Sequence, residues 1–318
     1  MRILVTGAGG FVGSNIVHEA LAHGVEVVGF VRSPPPSPDP CCRYELVELL
    51  DARATRAAVA RAEPEAIVHT AILNDFRRLY AERRLAWDSY VGVTRTLAHA
   101  SNDVGALLVT VSTDWVFDGT QAGADERTPP NPINYYGVLK TASEVVTLER
   151  AKEGAVARIA GVMGVHRAGQ ELPRGQDAGF GYFVASLVAA LEKREPFTVW
   201  ESEAINMRAT PSLASRSAEL VLALCERRLT GITHCVGGDA STRMELAQTA
   251  ADVFDLDPSL IRSGPPDPAA LPPAPVPYDT TLTAPATEAA LDLPLPGLRE
   301  LLSRFRAERT AARVSLTP

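Results

Sequence analysis

The sequence contains few cysteines, and their spacing argues against both disulfide and metal chemistry. Only four of the 318 residues are cysteine, namely Cys41, Cys42, Cys225 and Cys235. Adjacent cysteines rarely bridge each other and no Cys-x-x-Cys spacing occurs, so we expect reduced thiols without a dedicated role. The six histidines include no His-x-x-x-His pair. A zinc site is therefore disfavoured, and we predict no bound metal.

The sequence also lacks an excess of basic residues and any long apolar run. Its net charge is -7, whereas a nucleic-acid-binding surface needs a basic stripe. The longest apolar stretches, such as 184–191, are too short to cross a bilayer. The first residues, from Met1 to Gly7, read as a buried strand that enters a glycine turn, with no small-residue cleavage site after it. We therefore expect a cytoplasmic protein with neither a nucleic-acid nor a membrane partner.

Short strands rich in β-branched residues alternate with alanine-rich helical stretches. This alternation, with continuously apolar strands, is typical of a parallel sheet covered by helices on both faces. With right-handed crossovers, we predict an α/β fold: a doubly wound parallel Rossmann sheet with a smaller C-terminal α/β substrate-binding region. The predicted strands are 2–6, 25–31, 44–49, 66–69, 106–112 and 156–160, and the predicted helices are 13–23, 52–62, 79–101 and about 136–150.

Proline-rich and glycine-rich stretches divide the chain. Residues 33–40 contain five prolines and are predicted to form a loop directly after the second strand. The glycine-rich segment 161–181 is expected to be a mobile loop over the site. We predict a dinucleotide-binding Rossmann domain over 1–165, to which 197–238 returns. Residues 166–196 and 239–318 are predicted to form the substrate-binding region.

The turn after the first strand carries a nucleotide-binding pattern. Gly7, Gly10 and Gly13 have the spacing G-x-x-G-x-x-G between a predicted strand and a predicted helix. Glycines permit a tight turn and let the helix N-terminus approach a pyrophosphate. A glycine-rich turn without a ligand is the alternative, but the strand–turn–helix context favours a dinucleotide.

The end of the second strand indicates which dinucleotide is preferred. The chain reads Phe30-Val31-Arg32-Ser33, without the acidic residue that would bind a ribose diol. Arg32 and the neighbouring hydroxyl suit a 2′-phosphate, so we favour NADP(H) over NAD(H). Arg32 as a solvated loop residue is the alternative. Asp51, after the third strand, either meets the adenine end of the cofactor or caps the following helix.

Two segments about twenty residues apart supply a hydroxyl, a phenol and an ammonium. Tyr136 and Lys140 are spaced i and i+4, on one face of a predicted helix. A nearby cation favours the phenolate and lowers the pKa of a tyrosine, which is otherwise near 10. Thr113, at the end of the strand before this helix, offers a hydroxyl to a substrate oxygen. This set suits acid–base catalysis coupled to hydride transfer, although an isolated Tyr-x-x-x-Lys is most often a surface pair.

These residues carry a family resemblance that covers nearly the whole chain. The sequence resembles the extended short-chain dehydrogenase/reductases and, more narrowly, the dTDP-4-dehydrorhamnose reductase family, which reduces the 4-keto group of a nucleotide-linked deoxysugar with NAD(P)H. The central similarity lies in Ser112–Gly119, Glu126, Pro129–Pro132 and Tyr136–Glu144, and looser echoes lie in Arg158–Gly161, Asn206–Ser212 and the helix after Pro296.

The resemblance implies roles for individual residues. It makes Thr113, Tyr136 and Lys140 the catalytic triad, with Tyr136 as proton donor. Asp114 and Trp115 would border the sugar. Arg208 is the preferred diphosphate contact because it lies in one of the echoes, and His166, Arg167 and Arg174 are weaker candidates; each of these is otherwise a solvated charge. The residues implied to bind the cofactor are Gly7, Gly10, Phe11, Val12 and Gly13 at the pyrophosphate, and Thr70, Ala71 and Ile72 along its middle.

Three functions remain open from the sequence. We favour an NADPH-dependent reductase of a nucleotide-activated 4-keto-6-deoxysugar. A sugar-nucleotide epimerase or dehydratase with tightly bound NAD would use the same scaffold, and Arg32 disfavours it. A regulatory subunit that binds a dinucleotide without turnover is known among relatives of these reductases, as in methionine adenosyltransferase assemblies, and the complete triad disfavours it. A homodimer is expected from the frequency of such assemblies.

Overall fold

The computed structural model describes residues 1–169, 175–180 and 183–315. The candidate Arg174 and parts of the predicted 161–181 loop lie outside these residues. Within them, no helix is both long enough and apolar enough to cross a membrane. The strands are β1 Arg2–Thr6, β2 Glu26–Val31, β3 Arg43–Leu46, β4 Ala66–His69, β5 Leu107–Thr113, β6 Gly154–Ile159, β7 Val162–Met163, β8 Phe197–Trp200, β9 Arg208–Ala209, β10 Ser212–Leu213, β11 Gly231–His234, β12 Ser241–Thr242, β13 Ile261–Gly264 and β14 Asp279–Thr280.

The helices follow the alternating pattern that the sequence predicts. They are α1 Phe11–Ala22, α2 Ala52–Ala62, α3 Phe76–Ala81, α4 Arg83–Trp87, α5 Val93–Val104, α6 Tyr135–Arg150, α7 Phe183–Glu192, α8 Ala214–Glu226, α9 Arg243–Val253, α10 Pro285–Leu291 and α11 Leu298–Ser315.

A seven-stranded parallel sheet forms the centre of the molecule. Its strand order is β11-β6-β5-β4-β1-β2-β3, and every neighbouring pair is parallel. Every residue of β4 and β5 is buried, because apolar helices cover both faces of the sheet. One face packs against α1 and α8, and the other packs against α2 and α5. The predicted doubly wound Rossmann fold is confirmed.

The smaller region is built from short strands and three helices. Its strands pair as β8 with β13, β7 with β10, and β12 with β9 and β14. Side chains of α7, α9 and α11 share one apolar core. Within the segment 197–238, β11 joins the large sheet and α8 packs against one of its faces. Strand β8 of the same segment pairs instead with β13 in the smaller region. The division into two functional domains stays a prediction.

The predicted long helix 79–101 is wrong in one respect, because the structure divides this stretch into several pieces. Asp75 caps α3 by accepting a hydrogen bond from the Arg78 backbone, so the helical stretch begins before Leu79. The chain then leaves helical geometry at Glu82 and, after α4, widens into a π-helical turn over Asp88–Gly92 before α5 begins. The apolar periodicity of the sequence does not predict this π-helical turn, because the turn depends on the residues against which it packs.

Candidate functional site

A cavity lined by residues from several elements lies beyond the carboxyl ends of the central strands. It has a volume of about 650 Å³, within the size range of small-molecule sites. Parallel sheets place ligands at this edge. The cavity brings together eight residues that the sequence predicted, namely Val12, Thr70, Ile72, Thr113, Asp114, Trp115, Tyr136 and Lys140.

Lys140 is held in a buried position near the end of β5. Asn134 caps α6 by accepting a hydrogen bond from the Gly137 backbone, which fixes the start of the helix that carries Tyr136 and Lys140. The Lys140 ammonium donates to the Val111 carbonyl at 2.6 Å. Burial lowers the pKa of Lys140 to about 8, against the opposing effect of Glu144 one turn later. Near neutral pH, a fraction of the protein molecules therefore carries Lys140 in its uncharged form.

The Tyr136 ring is surrounded by three other aromatic rings. The ring centroids of Phe76, Trp115 and Tyr90 lie 5.3, 5.9 and 6.1 Å from that of Tyr136. Trp115 and Tyr90 meet it edge to face, at 82° and 85°. Aromatic rings in such contacts restrict each other's movement. The Tyr136 ring therefore has a fixed orientation in a largely apolar wall.

Thr113 is linked to the buried carboxylate beside it. The Thr113 hydroxyl donates to Asp114 Oδ1 at 2.9 Å and accepts from the Trp115 backbone at 3.2 Å. The other carboxylate oxygen of Asp114 accepts from the Thr280 hydroxyl. Burial raises the pKa of Asp114 to about 6, although these hydroxyl donors favour the ionised form. The carboxylate thus controls where the Thr113 proton points.

The glycine turn has the geometry of a dinucleotide cradle. Gly7 has a φ of +69°, in the region that favours glycine. A Cβ added to Gly13 would lie 2.2 Å from the Gly7 carbonyl oxygen and 2.8 Å from Thr70 Oγ1. Helix α1 begins after Gly10 without a side-chain cap and without an acidic residue in its first turn. Its N-terminus is therefore suited to an anionic group such as a pyrophosphate.

Residues after β4 close one side of this cradle. The Thr70 hydroxyl donates to the Thr6 carbonyl at 2.6 Å, and a Cβ on Gly7 would lie 2.9 Å from Ala71 Cα. Ile72 is 42% exposed and lines the cavity. Val12, beside the glycine turn, lines the same cavity as Thr70, Ile72 and Tyr136. This groove at the two neighbouring strand ends suits an extended dinucleotide.

The residues predicted for the adenosine end lie further along the sheet edge. Arg32 is exposed immediately after β2. The proline-rich loop folds back so that Pro35 is buried, with its Cβ 3.4 Å from a Cβ built on Gly9. Asp51 caps α2 by accepting from the Ala54 backbone at 2.9 Å. Of the two interpretations of Asp51, the capping one is observed.

The structure does not bring Arg208 to the cavity. Its side chain lies in β9, is 51% exposed and pairs with Asp279 at 3.7 Å. Arg167 pairs with Glu308 at 3.5 Å, and the His166 ring lies 5.9 Å from that of Phe11. Among the described residues, the arginine that lines the cavity is Arg77 in α3, a position for which the sequence gave no signal.

Other cavity residues were also missed by sequence reasoning. Tyr90 reaches it from the stretch that was predicted as one long helix, and Phe76 reaches it from just before that stretch. Residues 177–180 and 269–273 cover its other side. Arg243, fully buried at the start of α9, donates to the carbonyls of Asp177, Gly179 and Asn206. An isolated arginine in an amphipathic helix carries no sequence signal for such a role.

The fold is that of the extended short-chain dehydrogenase/reductases, a class of NAD(P)-dependent oxidoreductases. Within that class, the chain belongs to the family described as RmlD substrate binding domain, whose model matches residues 1–310. The resemblance derived from the central motifs is thereby confirmed.

Individual relatives differ in what they do. The chain is 30% identical to methionine adenosyltransferase 2 subunit beta of Xenopus tropicalis, over 82% of this chain and 74% of the other. It is 28% identical to dTDP-4-keto-6-deoxy-D-glucose reductase of Streptomyces niveus, over 84% and 83%. The crystal structure of dTDP-4-dehydrorhamnose reductase from Bacillus anthracis in complex with NADP matches with a TM-score of 0.79 and 22% identity, over 96% of this chain and 99% of the other.

Proposed function

We propose that this protein is an NADPH-dependent reductase of a nucleotide-activated 4-keto-6-deoxysugar. The observation that carries the proposal is the position of Thr113, Tyr136 and Lys140 in one cavity, whose groove begins at Val12 beside the glycine turn. NADPH bound in that groove would supply a hydride to the keto carbon. The protein would supply the proton and orient the keto oxygen.

The contacts of the three side chains support the following roles. Tyr136 would donate its phenolic proton to the keto oxygen, which becomes the product hydroxyl. The buried Lys140 ammonium would stabilise the phenolate left behind. Thr113 would bind the same substrate oxygen, after its hydroxyl turns from the Asp114 carboxylate at 2.9 Å. No metal is needed for this sequence of transfers.

Charge at the end of β2 supports NADPH as the preferred carrier. Arg32 is exposed there, and a guanidinium can pair with the 2′-phosphate that distinguishes NADPH from NADH. An acidic side chain at this position would repel that phosphate instead.

The cavity wall supports a deoxysugar as the reacting part of the substrate. Phe76, Trp115 and Leu271 line the cavity around Tyr136, and such a wall suits a sugar face with a methyl group in place of a hydroxyl. Asp114 and Trp115 are proposed to border this sugar. We assign the diphosphate contact to Arg77 rather than to Arg208, because Arg77 lines the cavity and Arg208 does not.

The test is a panel of nucleotide-linked 4-keto-6-deoxysugars, assayed with NADPH and NADH through the loss of reduced-nicotinamide absorbance. We expect Tyr136→Phe to reduce kcat by about 10²- to 10⁴-fold, because the proton donor is lost. NADPH binding, measured by fluorescence, should be retained. Tyr135→Phe is the matched control, since the Tyr135 phenol bonds the Arg83 carbonyl outside the cavity. Full turnover by Tyr136→Phe, or none by the wild type with any substrate, would end the proposal.

One observation favours a second candidate, a regulatory subunit of a methionine adenosyltransferase. The Xenopus tropicalis relative with that name shares 30% identity over most of both chains. This function would need dinucleotide binding but no hydride transfer. Stable association with a methionine adenosyltransferase catalytic chain, without NADPH oxidation in the panel above, would replace the reductase by this function. Protein that purifies with NAD and turns over without added reductant would point instead to an epimerase or dehydratase.

A further inference from the structure

A buried tyrosine links the proposed proton donor to the cavity wall. Tyr90 lies in the π-helical turn Asp88–Gly92 and is 3% exposed. Its backbone carbonyl accepts a hydrogen bond from the Thr94 hydroxyl at 2.7 Å. That bond occupies a carbonyl in the widened turn, where regular helical pairing is interrupted. The turn therefore holds the Tyr90 side chain in a defined direction.

The phenol of Tyr90 bonds the segment that follows β4. Its hydroxyl donates to the Leu73 carbonyl at 3.1 Å. Leu73 lies one residue after Ile72, and both line the cavity. A buried hydroxyl paired with a carbonyl is costly to break, because each partner would be left without its hydrogen bond. The bond thus ties the groove wall, along which the cofactor would lie, to the helix layer behind it.

The ring of Tyr90 contacts both members of the tyrosine–lysine pair. It meets the Tyr136 ring at 6.1 Å and 85°. The Lys140 ammonium lies 5.9 Å from the Tyr90 ring centroid, within the distance over which an aromatic face attracts a cation. A ring face attracts the ammonium without accepting a conventional hydrogen bond. Of the three N–H donors of Lys140, one is used by Val111, and the ring leaves the others for a phenolate or a ribose.

We propose that Tyr90 is a positioning residue of this site, which acts through its two halves. The ring holds the Tyr136 phenol and the Lys140 ammonium in their reactive arrangement, and the hydroxyl holds the groove wall at Leu73. The predicted effects on kcat and KM rest on the proposed reductase function. The predicted effect on the Kd for NADPH rests on dinucleotide binding alone.

The two halves can be separated by substitution. Tyr90→Phe keeps the ring and loses the bond to Leu73, so the KM and the Kd for NADPH should rise about fivefold while kcat changes less than about twofold. Tyr90→Leu also loses the ring, so kcat should fall by about 30-fold or more and the Kd for NADPH should rise further. A side chain that only fills space would not produce this division between KM and kcat.

Leu79→Ala is the control for lost packing. Leu79 is fully buried in the same apolar cluster as Tyr90, and its substitution should lower the melting temperature while leaving kcat and the NADPH Kd close to wild type. The proposal is overturned if Tyr90→Leu keeps wild-type kcat, or if Leu79→Ala reproduces the kinetic pattern. If the wild type reduces none of the keto-sugars, the proposed function fails. The NADPH Kd series, wild type below Tyr90→Phe below Tyr90→Leu, then decides the proposal about Tyr90 alone.

Discussion

At the residue scale, the site depends on two buried side chains whose pKa values are displaced towards neutrality. Burial lowers the pKa of Lys140 from 10.5 to about 8 and raises that of Asp114 from 3.8 to about 6. In both cases the folded chain disfavours the charged form relative to the unfolded chain. The Lys140 contribution opposes folding below about pH 8 and fades as the pH rises towards 10.5. The Asp114 contribution favours folding at acid pH and is lost as the pH rises from 3.8 through 6.

These two pKa values predict a bell-shaped pH dependence of kcat/KM. Activity should fall below about pH 6, where protonation of the Asp114 carboxylate disturbs the hydrogen bonds that hold Thr113 and Thr280 beside it. It should fall above about pH 8, where Lys140 loses the charge that favours the phenolate. Asp114→Asn should remove the acid limb and retain the alkaline one. Asp118→Asn, four residues later in the same segment, is the control and should keep both limbs. An unchanged acid limb in Asp114→Asn would assign that limb to another group.

Arg32 and Asp51 show what a single residue type reveals before the structure is known. The preference for NADP(H) could be predicted from the sequence because it depends on one side chain, at the end of β2, which is not acidic. Asp51 was left with two interpretations, since an aspartate before a helix is both a common cap and a common ribose contact. Its bond to the Ala54 backbone is a local interaction, which the sequence could anticipate. The ion pair of Arg208 with Asp279 joins distant segments and could not be anticipated.

At the element scale, the first turn of α1 and the end of β4 approach so closely that only glycine fits between them. The Cβ positions built on Gly7 and Gly13 lie within 3 Å of neighbouring backbone atoms or the Thr70 hydroxyl. Backbone atoms cannot move aside as a flexible side chain can. The glycine spacing therefore indicates a close contact between two elements, in addition to the close approach of a ligand.

This contact predicts a specific effect of Gly13→Ala. The added methyl would lie 2.2 Å from the Gly7 carbonyl oxygen, so the turn must shift and NADPH affinity should fall by about tenfold or more. Isothermal titration with NADPH measures this loss. Gly92→Ala serves as the control, because its nearest neighbour would lie at 3.8 Å; it should change the affinity by less than about twofold. Equal affinities for Gly13→Ala and wild type would show that the turn does not cradle the cofactor.

The strands and the helix that carries Tyr136 and Lys140 were predictable because their signals are local. Strand β4 and helix α2 occur where their apolar patterns placed them, and α6 starts at a capping asparagine. The stretch 79–101 was not predictable in the same way. Its apolar spacing suits a helix throughout, while the π turn is stabilised by the Tyr90 phenol at Leu73 and by the Thr94 hydroxyl. Only the bond between the Tyr90 hydroxyl and the Leu73 carbonyl joins separate elements, and no pattern in the sequence predicts it.

At the scale of the whole molecule, Arg243 joins the smaller region to the cavity wall. Its guanidinium donates to carbonyls on both sides of it, at Asn206 and in the segment 177–179. It also lies over the rings of Phe180 and Phe183, at 5.8 and 5.6 Å from their centroids. Asp177, Ala178, Gly179 and Phe180 line the cavity. The position of this wall thus depends on one arginine whose own side chain does not line the cavity.

We expect Arg243→Met to raise the KM for the keto-sugar by about tenfold with a smaller effect on kcat, because the wall loosens but the catalytic pair is untouched. The free energy of unfolding should fall by about 2–4 kcal/mol, since one buried and two partly buried carbonyls lose their donor. Steady-state kinetics and urea denaturation measure the two effects. Arg262→Met, an exposed arginine of β13, is the matched control. A fall in kcat at unchanged KM would contradict this role.

The cavity wall has a consequence for how the chain reaches its native state. The Arg77 guanidinium reaches the Ala269 carbonyl across 192 residues of sequence, and the segment 269–273 completes the enclosure. Contacts of such separation form slowly, because a large loop must close before they are made. The Rossmann half can collapse around local β–α units, whereas the enclosed cavity forms only after the last third of the chain has docked. A ligand that spans both halves therefore binds only the fully assembled chain, and by mass action it stabilises that chain in proportion to the logarithm of its concentration.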